Sequence, residues 1–171
     1  MKRLVTTIQL LLAGTFFISA ICGAVFGPEA QERGLAEIQR QGFPATYLAD
    51  HGLAFDENAL NIVLPILIAI GLAILALKGN RVISLVVHPI LIVLGATIMA
   101  AQVFIESSVQ SYLENTTVDV PALVAAAKSA FPAWYPVNVY ARFILATVGS
   151  LVVIVVLVWQ RNRERAALAK L

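Results

Sequence analysis

The chain has 171 residues, 60% of them hydrophobic and 13% charged, with a mean hydropathy of +0.86 and a net charge of +2. A soluble domain is about 45–50% apolar and about 25% charged, so there are too few charges here to clothe a water-soluble core. The single cysteine, Cys22, excludes an intramolecular disulfide, and the sequence has no CxxC, His/Cys cluster or haem-attachment motif.

The apolar residues are bunched in runs of about 20, the length that crosses a ~30 Å hydrocarbon layer at 1.5 Å per residue. We therefore expect an all-α fold: one integral membrane domain, a four-helix bundle with both termini inside and two extracytoplasmic loops containing short helices.

Span one covers about residues 4–26. Lys2 and Arg3 precede it, and Cys22-Gly23-Ala24 has the small residues of a signal-peptide cleavage site. The apolar stretch is nevertheless about 23 residues, longer than the 7–15 of a signal core. Ile21 also occupies the position where a lipoprotein signal needs a small residue. A retained helix is expected. Outer loop one follows, at 27–59. Pro28, Glu29 and Glu32 suit the start of a helix. Glu29 to Gln41 reads as a short polar helix with a thin apolar stripe, Leu35 and Ile38, ended by Gly42-Phe43-Pro44. His51-Gly52 reads as a turn.

Span two covers 60–77, with Asp56-Glu57-Asn58 supplying N-terminal acceptors. Residues 78–81 (Lys-Gly-Asn-Arg) form a tight hairpin, because Gly79 and Asn80 tolerate left-handed backbone. Span three covers 82–105 and is expected to continue towards Glu114. In outer loop two, 106–138, Asn115-Thr116-Thr117 is a polar break and formally a glycosylation sequon. Pro121 to Ala130 reads as a short helix capped by Asp119. Pro132 and Pro136 then frame Trp134 and Tyr135 at interface depth. Span four covers 139–159, and the basic tail 160–171 should extend it.

Charge sets the orientation. Lys2, Arg3, Lys78, Arg81, Arg161, Arg163, Arg165 and Lys170 lie at the termini and hairpin, whereas the two loops hold only Arg33, Arg40 and Lys128. Nine of the ten acidic residues are in the loops. With four spans all basic clusters fall on one side, and the positive-inside rule makes that side cytoplasmic. The expected location is the plasma (cytoplasmic) membrane.

Ionisable and amide side chains at membrane depth are the candidate sites. His88 lies six residues into span three, about 9 Å from its start, and precedes Pro89, whose missing donor leaves the Leu85 carbonyl free. Its imidazole can satisfy such a backbone group, titrate or contact a ligand in a pocket, or ligate a metal or haem. Arg142, near the outer end of span four, can snorkel to headgroups, pair with Glu106 at the end of span three, or hold an anionic lipid or substrate group. Asn138, four residues earlier, shares its helix face. Gln102 and Gln9, near opposite faces of the bilayer, suit interhelical hydrogen bonds. Small residues recur at four-residue spacing, Gly23-x-x-x-Gly27 among them, and point to close helix packing.

No span carries an embedded carboxylate, and Ser84, one turn before His88, has no acid to orient a Ser–His pair. We therefore expect a non-catalytic protein, an accessory or scaffold subunit of a larger membrane complex, with no cofactor and no metal. The alternative is a bundle that binds or handles a lipid or small molecule; a membrane enzyme or transporter ranks behind both. Expected partners are the bilayer, other membrane subunits and anionic lipids at the basic tail, with no nucleic acid.

Overall fold

A computed structural model describes residues 2–50, 59–112 and 117–168, without the side chains of 59–61, 98, 99 and 101–112. Its elements are helical throughout: α1 (Lys2–Arg40), α2 (Tyr47–Asp50), α3 (Ala59–Lys78), α4 (Arg81–Tyr112), α5 (Val120–Lys128), α6 (Tyr135–Ile144), a π-helical segment (Leu145–Gly149) and α7 (Ser150–Leu168).

The helix ends follow the chemistry of the sequence. Gly42 has φ +90°. It closes α1 with the paired bonds Gly42 N–H to Gln39 O (2.9 Å) and Phe43 N–H to Ile38 O (3.2 Å), while Phe43 packs on Ile38. Gly79, at φ +64°, ends α3 with a single bond to Leu75 O. Asn80 then caps α4, its Oδ1 accepting from Ile83 N–H at 3.1 Å. Asp119 caps α5 by accepting from Ala122 N–H at 3.0 Å, as its position before Pro121 predicts.

One expected boundary is absent. Gly27-Pro28 does not separate span one from a second helix, and α1 runs unbroken for 39 residues with Pro28 inside. An interior proline costs about 3 kcal/mol in a helix, so other contacts must hold the extension straight. The Glu29–Arg33 and Glu37–Arg40 pairs brace it along its own length. Helix α5 braces it from the side: Leu123 packs on Ile38 and lies 3.7 Å from where a Cβ on Gly34 would be. Arg33 donates to Ser129 Oγ at 2.7 Å, and Phe131 meets Phe26. Gln41 exchanges two hydrogen bonds with the backbone of Asp119. The outer loops thus build a small cap of α2, α5 and the end of α1 around Ile38, Leu48 and Leu123.

The long helices pack around α1, which touches α3 and the α6–α7 run, while α4 lies against the π segment and α7. Leu12, Ala13 and Phe16 of α1 meet Ala69 and Leu72 of α3, Leu91 of α4 and Ala146 at the centre. A second cluster joins Val5 and Ile8 to Val153 and Leu157. Backbones approach closely at two glycines. A Cβ on Gly149 would lie 3.1 Å from Ile8 Cγ2, and one on Gly95 3.2 Å from Ala146 Cβ.

Polarity is inverted relative to a soluble protein. Buried residues include Gln9, Ser19, Ser84, His88, Asn138 and Ser150, whereas Leu67, Leu77, Val82, Val93 and Val155 are exposed. Helix α1 and the continuous 34-residue run Tyr135–Leu168 are each long and apolar enough to cross a membrane; α3 and α4 carry the shorter apolar stretches Ile62–Lys78 and Arg81–Thr97. His51-Gly52 and Asn115-Thr116 lie outside the described residues.

Candidate functional site

Two polar clusters interrupt the apolar core. The inner one joins three helices. Gln9 comes from α1, and Ser84 and His88 come from one face of α4, a turn apart. Ser150 is the first residue after the π segment. Gln9 Nε2 lies 3.2 Å from Ser84 Oγ and 3.1 Å from His88 Nε2, and His88 Nδ1 lies 2.9 Å from Ser150 Oγ. One proton arrangement satisfies every partner. The Gln9 amide donates both hydrogens, one to Ser84 Oγ and one to His88 Nε2. Nδ1–H of the neutral imidazole donates to Ser150, and Ser84 donates to Asn80 O at 2.9 Å.

This geometry limits the chemistry. A Ser–His contact of 2.9 Å is within the reach of a nucleophile and its base. Here, however, His88 and Ser150 are both 0% exposed, and the third group is an amide rather than a carboxylate. The hydroxyl is closed off from solvent, and both ring nitrogens are engaged. Among the described residues no three His, Cys, Asp or Glu side chains converge as metal ligands.

The outer cluster is a seam between α1 and α6. Tyr135, Asn138 and Arg142 recur at three- and four-residue spacing along α6 and face Thr15, Phe16 and Ser19 of α1. Asn138 Nδ2 donates to Ser19 Oγ at 3.0 Å and to Thr15 O at 3.3 Å. The Arg142 guanidinium lies over two rings, 5.6 Å from the Phe16 centroid and 5.3 Å from that of Phe143. Among the described residues, no carboxylate pairs with it and nothing accepts a hydrogen bond from it. The side chains of Gln102 and Glu106 lie outside the described residues, so the expected Glu106–Arg142 pair has no geometry to report.

No family model, curated protein or solved structure matches this chain. The site is therefore read from its own residues.

Of the sequence candidates, His88 sits in the inner cluster, and Asn138 and Arg142 share the outer one. Ser150, Thr15, Ser19 and Tyr135 escaped the sequence reading as site partners. One signal was available for the inner cluster. Gln9 and His88 each lie five or six residues into their spans from the same basic side, so they share a depth. Nothing in the sequence announced the π segment that places Ser150 beside His88. Among the described residues nothing packs on Gly23-x-x-x-Gly27: a Cβ on either glycine would meet no atom of theirs within 4 Å.

Proposed function

We propose that this chain is a four-span membrane protein of the plasma (cytoplasmic) membrane, with both termini inside, acting without catalysis as an accessory or scaffold subunit of a larger membrane complex. The observation that carries this reading is the closed inner cluster. His88, an ionisable side chain buried in the core, spends both nitrogens on joining α1, α4 and α7. A group committed in this way fixes helix register and rotation and leaves nothing for a substrate. The apolar outer faces of α1, α3, α4 and α7 support placement in lipid. The Gly23-x-x-x-Gly27 face, on which no described residue packs, supports a partner helix, since small residues let backbones approach.

The test is a photoreactive residue at Ala24 in native membranes. We expect one discrete, stoichiometric adduct with another membrane protein, lost in Gly23→Leu/Gly27→Leu. A chain that crosslinks only to lipid and migrates alone in mild detergent would refute the subunit role. The lipid-binding alternative draws support from a different observation, the guanidinium of Arg142, which has no acceptor among the described residues.

A further inference from the structure

We propose that Arg142 is the phosphate anchor of a binding site for an anionic phospholipid of the outer leaflet, set in the seam between α1 and α6. The inference rests on the membrane placement above and is independent of the subunit role.

The guanidinium carbon lies over the rings of Phe16 and Phe143. Its N–H donors are a separate matter. A guanidinium carries five donors in a planar fork, and among the described residues none of them finds an acceptor. Donors without an acceptor, and a charge without a counter-charge, among the described residues are expensive at membrane depth. A phosphate meets both needs, because its oxygens match the fork in a bidentate pair. The neighbouring polar groups leave that task to Arg142: the amide nitrogen of Asn138 is committed to α1.

Position fits a headgroup. Arg142 lies seven residues below Tyr135, about 10 Å along α6. Helical side chains lean towards the N-terminus, which on α6 is the outer end, so the guanidinium rises towards the level of Tyr135 and Trp134. Exposed apolar side chains on the same two helices, Ile18 and Ile21 of α1 and Tyr140 and Ile144 of α6, offer a surface for acyl chains.

Charge favours a lipid over a dissolved anion. Loops 27–59 and 106–138 hold nine acidic and three basic residues, a net of −6. A soluble anion would approach through that field. A lipid phosphate arrives laterally, beneath it.

The test uses the full chain in nanodiscs. Trp159→Phe leaves Trp134 as the single tryptophan, since the chain has two. Its quenching is compared between brominated phosphatidylglycerol and brominated phosphatidylcholine in a phosphatidylcholine bilayer. We expect half-quenching at roughly tenfold lower mole fraction of the anionic lipid, the scale of one charge-assisted pair. Arg142→Gln should abolish the difference. Should that variant not reconstitute, Arg142→Lys, which keeps the charge but loses the fork, must reduce the preference several-fold. Equal quenching by the two lipids, or an undiminished preference in either variant, overturns the proposal. Displacement by millimolar inorganic phosphate or glycerol phosphate overturns the lipid as the source of the anion. Because the chain is assayed alone, a null result leaves the subunit role standing, and failure of the wild-type chain to insert would remove the membrane placement as well.

Discussion

A buried polar side chain stabilises a core only while its partners remain. His88→Ala would take the acceptor from one hydrogen of the Gln9 amide, remove the donor to the Ser150 hydroxyl and open a cavity. We expect a loss of about 1–3 kcal/mol, read as a lower unfolding temperature in detergent. Ser150→Ala should cost less, since one neutral bond is lost and the imidazole still fills its space; equal costs would show that the bond to Ser150, and not the volume of the ring, carries the value of His88. Gly149 makes a sharper test of packing. A methyl there would press on Ile8 Cγ2 at 3.1 Å, so Gly149→Ala should destabilise by about 1–3 kcal/mol. Ile8→Ala in that background should recover part of the loss, and strictly additive effects in the double-mutant cycle would deny the contact. At this scale the sequence was half legible. His88, Asn138 and Arg142 stand out because ionisable and amide groups are rare among apolar runs. Their partners do not, because Ser and Thr are common in such helices and only tertiary packing selects Ser150, Ser19 and Thr15.

Among the elements, helix ends were easier to read than helix continuity. Gly42, Gly79, Asn80 and Asp119 carry their own backbone chemistry, and each acts where its residue type suggests. Pro28 carries an equally clear signal, yet the helix runs through it, because the contacts that outweigh it come from α5, about 90 residues later. The extension also has a pH signature. Arg40 and Gln41 hydrogen-bond the Glu37 carboxylate and hold its pKa down at about 2 from an ordinary 4.5. A depressed carboxylate stabilises the fold fully above its unfolded pKa, and that contribution disappears as pH falls through the folded value. Hydrogen exchange of the Glu37–Phe43 amides should therefore show protection falling between about pH 4.5 and 2. Glu37→Gln should already have lost this contribution at neutral pH and show a flatter profile over that interval. An unchanged profile would mean that the Ile38–Leu48–Leu123 cluster alone secures the cap. The π segment is the element no sequence rule here foretells. Its effect is to bring Gly149 and Ser150 together onto the face that meets α1 and α4.

For the whole molecule, the proposed topology predicts accessibility. Single cysteines placed at Gly42 and Thr117 in a Cys22→Ser background should react with a membrane-impermeant maleimide from outside; one at Asn80 should react only after the cells are opened. External labelling at Asn80 would overturn the four-span count. At the hairpin end of the bundle Arg81 and Glu164 pair at 2.7 Å, and Arg81 holds the Glu164 carboxyl below its ordinary range. This ties the hairpin to the tail; both groups are largely exposed, so its worth is small.

The hairpin has a consequence for how the protein is made. Only Gly79 and Asn80 separate α3 from α4, too little chain for one helix to enter the bilayer while the other waits outside. In the proposed four-span arrangement the two would have to leave the insertion machinery as a single unit. The imidazole of His88 travels with them, while its acceptor-seeking partner Gln9 was synthesised 79 residues earlier and Ser150 is still to come. For that interval α4 would carry a half-satisfied polar group through lipid, and the emergence of α7 would complete its hydrogen bonds and set the assembly order of the four proposed spans.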